Sequence, residues 1–168
     1  MDIKEKNAEL KYIIDRYDHY YDSVNNKGNL YLTVNTFILG GVIAGYFTLD
    51  NQYHFGCGII LLFIFTLIAN IGAITCTLLA IKPYLNKKKD KTQGSLLFFG
   101  DVADYQEKSY KKMWDELDDN KWHENLKKQV LLLARGLTKK FNKLYCATWF
   151  IIIQILLIIV FGIIILNK

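Results

Sequence analysis

The chain has 168 residues, 52% of them hydrophobic, a formal net charge of +5 and a mean hydropathy of +0.12. By length it is one domain, but it is too apolar for an ordinary soluble one. Its three cysteines, with no CxxC pair and no metal-like spacing, exclude a disulfide framework and a zinc site.

Residues 1–28 are predicted to form a cytoplasmic amphipathic helix. Ile3, Leu10, Tyr17 and Val24 recur every seven residues with Ile14 and Tyr21 beside them, an apolar stripe that needs a partner. Charges are mixed throughout this segment, and it lacks the apolar centre and cleavage site of a signal peptide. Asp15, His19 and Asp22 share one helix face and read as a solvated surface rather than a metal site. Gly28 is expected to mark a bend or break before the first span.

Residues 29–82 read as a two-helix transmembrane hairpin. Residues 30–49 and 55–81 carry no charge, and each approaches or exceeds the roughly 20 residues that cross a bilayer. The turn between them, DNQYH, has no lysine or arginine. Gly41 and Gly45, with Gly40 adjacent, form a small-xxx-small pair, a dimerisation signal common in glycine-rich spans. Lys82 and Pro83 end the second span, because proline removes a donor and restricts its predecessor.

Residues 83–144 are read as a cytoplasmic basic linker and helical module. After NKKKDKTQG, residues 96–99 (LLFF) are expected to fill a small core between amphipathic helices. A helix is predicted from Asp101, as N-cap, through Val102, Tyr105, Met113, Trp114 and Leu117, with a break at residues 118–120. A second stripe, Leu126, Val130, Leu133, Leu137, Phe141 and Leu144, runs without a strong stop into residues 145–168, the third transmembrane helix. Residues 121–166 therefore read as nearly one helix of about 69 Å, with Gly136 its one soft point. The fold class is all-α: three transmembrane helices and a small helical cytoplasmic module.

Lysine and arginine set the orientation. Residues 1–28 carry five and residues 83–144 carry fourteen. The positive-inside rule then places the N-terminus and the middle segment in the cytoplasm and the C-terminus outside. The run Lys87, Lys88, Lys89 serves this topology and attraction to anionic lipid, or, with Arg135, a nucleotide phosphate. No G-x-S-x-G, P-loop or H-E-x-x-H occurs. Asp115, Glu116, Asp118 and Asp119 read as a solvated helix end, and His123 stands apart from any nucleophile. An enzyme is not expected, and no catalytic or metal-ligating residue is assigned. Asn35, Asn70 and Gln154 lie inside the spans, where amides are costly unless they face protein or water. They read as helix-to-helix bonds within one subunit or as an interface that opens. So few polar groups on three spans cannot enclose a pore, so permeability would need a homo-oligomer.

SLLFFGDVADYQEKSY, with Pro83 before it and KKFNKLYCATWF after it, resembles the Pycsar effector transmembrane family. The matching positions are Pro83, Ser95, Phe98, Phe99, Gly100, Tyr110, Gln129, Val130, Leu132, Lys140, Phe141 and Leu144, with Asn25 and Lys27 upstream. The two-span effectors of nucleotide-sensing defence operons share the same general layout. The resemblance implies a bacterial antiphage effector of the inner membrane. A partner cyclase supplies cyclic CMP or cyclic UMP as activating ligand, and the effector then compromises the membrane; no nucleic acid is implied as partner. It also implies that Ser95, Phe98, Phe99, Gly100, Tyr110 and Gln129 belong to the core of the cytoplasmic module. The arrangement used by cyclic-nucleotide-binding β-barrels is missing, so a site on this chain would be helical and between subunits. Two further readings stand beside this one: a membrane adaptor that recruits a cytoplasmic partner, and a holin-like toxin active without ligand.

Overall fold

The structure, a computed structural model, describes residues 2–53, 55–83 and 95–167. Among them are five helices and no strand: α1 (Ile3–Tyr53), α2 (Cys57–Ile81), α3 (Phe99–Val102), α4 (Glu107–Asp115) and α5 (Asp119–Leu166). Three of these, α1, α2 and α5, are long and apolar enough to cross a membrane. The protein is an all-α integral membrane protein. Its described residues fall into two compact units, a polar unit within Met1–Asp22 and Pro83–Thr138 and a span unit within Ser23–Lys82 and Lys139–Lys168.

In the span unit, the α1–α2 turn is fixed by Asp50, whose Oδ1 accepts the Phe55 N–H at 2.9 Å. Beneath it Tyr46, Phe55 and Ile59 form a buried cluster against which Leu49, Phe63, Phe161 and Ile165 pack. Tyr46 stacks on Phe63 with ring centroids 4.0 Å apart. Residues of all three spans therefore meet at this end.

The buried face of α2 is made of small residues: Thr66, Ala69, Asn70, Ala73, Thr77 and Ala80 follow Ile59 at helical spacing. Each buried threonine returns its hydroxyl to its own helix, Thr66 to the Leu62 carbonyl at 2.8 Å and Thr77 to that of Ala73 at 2.7 Å. Small side chains let backbones come close, the main source of packing energy where lipid is as apolar as leucine. Two glycines, Gly72 on α2 and Gly28 on α1, allow the same close approach. A Cβ on Gly72 would stand 2.8 Å from the Phe150 ring, and one on Gly28 would collide with Ile81. The expected bend at Gly28 is therefore corrected. α1 runs unbroken through it, and the glycine is there because Ile81 leaves no room for a side chain.

In the polar unit, the stripe of α1 is at least half-buried at Ile3, Leu10, Ile14, Tyr17 and Tyr21, while Asp15, His19 and Asp22 are exposed. Tyr21 Oη donates to the Leu133 carbonyl at 3.0 Å, and His123 Nδ1 donates to Asn7 Oδ1 at 2.7 Å. α5 begins at Asp119 because Asp118 caps it, its Oδ1 accepting the Lys121 N–H at 2.7 Å. The break thus falls just ahead of residues 118–120.

The helix expected from Asp101 to Leu117 is two helices. After α3 the amides of Asp104 and Tyr105 bond three residues back, to Asp101 and Val102, and Gln106 is extended before α4. This tightening closes α3 after one turn. Asp101 is not an N-cap either, because its Oδ2 accepts the Ser95 N–H at 2.7 Å.

Candidate functional site

The uncharged stretch of each membrane-spanning helix carries one amide side chain, and the fold brings the three together. Asn35 on α1, Asn70 on α2 and Gln154 on α5 are 0%, 1% and 0% exposed. Gln154 Nε2 donates to Asn35 Oδ1 at 2.6 Å. Asn70 Nδ2 donates to Gln154 Oε1 and to the Asn35 backbone carbonyl, both at 3.0 Å. Asn35 spends its own Nδ2 on the Tyr31 carbonyl one turn back, at 2.7 Å. Asn70 stands midway along α2, so the network sits near the middle of the spans.

An interhelical hydrogen bond of this kind contributes about 0.6 kcal/mol on average, but an amide stranded in hydrocarbon costs more, about 1–3 kcal/mol. The network therefore acts mainly through the cost of breaking it. One acceptor is already unpartnered: Asn70 Oδ1 is buried with no hydrogen bond.

Two further sites tie α5 to the other spans. Thr148 Oγ1 donates to the Leu144 carbonyl at 3.0 Å, so it accepts the Tyr31 hydroxyl, also at 3.0 Å. Lys140, only 6% exposed, donates its Nζ to the Ala80 and Lys82 carbonyls at 2.7 and 3.0 Å. A cation there meets both the free carbonyls and the negative end of the α2 dipole. Burial holds the Lys140 pKa below its ordinary value. The stripe expected at Leu137, Phe141 and Leu144 is corrected accordingly. Phe141 is 37% exposed, and Lys140 turns inward in its place because the end of α2 offers it acceptors.

Gly41 and Gly45 are not contacts within the chain. Neither has an atom within 4 Å of a built Cβ, and Gly40 is equally open. With Val42, Tyr46, Phe63, Thr66, Ile158 and Phe161 they line a cavity of about 170 Å³.

The motif residues of the polar unit separate into local roles. Ser95, 3% exposed, accepts the amides of Leu97 and Phe98 on its Oγ at 3.1 and 3.2 Å. Leu96 is buried, and its N–H reaches Asn125 Oδ1 at 3.4 Å. Gly100 leaves space for Phe98, whose ring a Cβ there would meet at 2.6 Å. Phe98 is half-buried, but Phe99 is 65% exposed, which corrects its expected place in the core: Leu96 fills the interior and the turn of α3 points Phe99 out. Tyr110 sits in a chain of rings with Tyr105, Trp114 and Trp122, at centroid spacings of 6.0 to 6.3 Å. Lys11 lies 5.9 Å over Trp122. Gln129 Oε1 and the Tyr105 hydroxyl are buried without a hydrogen bond. Arg135 is exposed. Lys87, Lys88 and Lys89 lie outside the described residues.

Sequence reasoning named Lys140 as a motif position but missed its inward clamp, and it missed Tyr31 with Thr148, Gly72, and the contact between Cys76 and Cys146. The small-residue face of α2 left a readable signal in its helical spacing, and Lys140 left one in the KKFNKL motif. A family model for the Pycsar effector protein domain matches residues 9–166 of the chain. Comparison with curated proteins and with solved structures gives no match.

Proposed function

The chain belongs to the Pycsar effector family, the membrane effectors of an antiphage-defence system that works with a nucleotide cyclase, and we propose that it is a messenger-gated disruptor of the bacterial inner membrane. In this reading the polar unit lies in the cytoplasm and the C-terminus outside, as the distribution of lysine and arginine favours. A cyclic pyrimidine mononucleotide, cyclic CMP or cyclic UMP, binds the polar unit, with Arg135 and the run Lys87, Lys88 and Lys89 as its phosphate contacts. Several copies then rearrange together, since three spans with one buried amide each offer too little polar surface for a pore.

The amide network carries this reading. It gives the span unit a closed state whose hydrogen bonds link all three membrane helices. α1 and α5 are each continuous from residues of the polar unit to residues of the span unit, so a displacement of either helix has a mechanical route to Asn35 and Gln154. A ligand shifts such an equilibrium only by its difference in affinity for the two states. The unpartnered Asn70 Oδ1 biases the balance, because it gains a partner when the helices separate and water or another copy reaches it.

Purified protein in vesicles is expected to release a trapped dye on addition of cyclic CMP or cyclic UMP. Release without any nucleotide would favour the holin-like reading. No release, with a soluble protein co-purifying at fixed stoichiometry, would favour the adaptor.

A further inference from the structure

Cys76 on α2 and Cys146 on α5 place their sulfurs 3.3 Å apart. Both are free thiols and half-buried; the third cysteine, Cys57, is free and exposed. We propose that Cys76 and Cys146 are a reversible oxidation site, closed to an intramolecular disulfide by a peroxide.

The contact is built into the helix pairing. α2 and α5 run antiparallel, and successive contacts keep one register: Asn70 with Gln154, Gly72 with Phe150, Cys76 with Cys146, and the Ala80 carbonyl with Lys140. The pair is therefore flanked by the Gly72–Phe150 contact on one side and the Lys140 clamp on the other. A disulfide bond is about 2.05 Å long, so the sulfurs need to close by only about 1.3 Å. Cys57 is nineteen residues along α2 from Cys76, about 28 Å at the helical rise, and cannot compete within the chain.

The chemistry balances with a peroxide as oxidant. One sulfur, as thiolate, attacks a peroxide oxygen; the O–O bond breaks, water leaves after proton transfer, and a sulfenic acid remains. The second thiol attacks that sulfenyl sulfur, the S–O bond breaks, and a second water carries away the hydroxyl and the thiol proton. Two electrons pass from the two sulfurs to the peroxide. A dithiol reverses the bond by exchange.

The bond would tie α2 to α5 beside the amide network and, on the reading given under Proposed function, hold the spans closed. Hydrogen peroxide treatment of the full-length protein in detergent, followed by intact-mass measurement and maleimide labelling, tests the site without reference to activity. The expected result is a monomer about 2 Da lighter, with reactive thiols falling from three to one. Cys57→Ser should keep the mass loss and Cys76→Ser should abolish it. Three thiols still reactive after treatment, or dimers that vanish in Cys57→Ser, would overturn the proposal. In vesicles, oxidised protein should lose nucleotide-triggered dye release and regain it with dithiothreitol. A crosslinked protein that still releases dye would overturn the lock and leave the oxidation site standing. Reduced protein that never releases dye would count against the proposed function, with the mass measurement still deciding the site.

Discussion

Gln154 joins the amide network side chain to side chain, to Asn35 at 2.6 Å and to Asn70 at 3.0 Å. Gln154→Leu leaves Asn35 Oδ1 with only the 3.5 Å contact from Asn70 Nδ2 and takes away the 3.0 Å acceptor of that Nδ2, and is expected to lower stability in detergent by about 1–3 kcal/mol. Replacing Asn35, Asn70 and Gln154 together by leucine should cost less than the single change, since no polar group is then stranded. Thermal unfolding of the two variants checks both statements. The two phenylalanines of the SLLFFG motif should also separate. Phe98→Ala removes a half-buried ring and is expected to cost roughly 1–3 kcal/mol, short of the 3–5 kcal/mol of a fully buried one. Phe99→Ala, at a ring 65% exposed, should stay within about 0.5 kcal/mol. Sequence alone could flag three costly amides but not their bonding, which depends on the register of helices far apart in the chain. Nor could it tell Phe98 from Phe99, because adjacent residues in a turn part company only when its path is known.

At the scale of the elements, close approach and open face are distinguished by what surrounds each glycine. Gly72→Leu drives a side chain into the Phe150 ring and is expected to destabilise the span unit by about 1–3 kcal/mol. Gly41→Leu enters open space and should leave the melting temperature of the isolated protein nearly unchanged. Sequence reasoning singles out Gly41 and Gly45, as a small-xxx-small pair for contact with a second copy, and passes over Gly72, which matches no motif. The spans themselves were legible, since an uncharged stretch of this length has few alternatives. The near-continuity of α5 was legible too, from the lack of a stop between Leu126 and Tyr145. What periodicity could not show was the end of α2, where exposed carbonyls draw Lys140 inward against the apolar pattern.

For the whole molecule, the central question is whether the polar unit governs the spans through α5. Gly136 did not break this helix, so it offers a continuous path from Asp119 to Leu166. Three glycines inserted after Thr138, at the boundary of the two units, would soften that path, each costing about 1 kcal/mol of helix propensity relative to alanine, while leaving each unit its own contacts. The insertion variant should reach the membrane, assemble and bind nucleotide as the parent does. Binding, read by thermal shift, separates a lost site from a lost connection. The most direct measurement is dye release from vesicles holding parent or insertion variant, before and after cyclic CMP or cyclic UMP. Nucleotide-triggered release by the parent, and none by an insertion variant that still binds, is the expected result. Equal release by both would contradict transmission through α5.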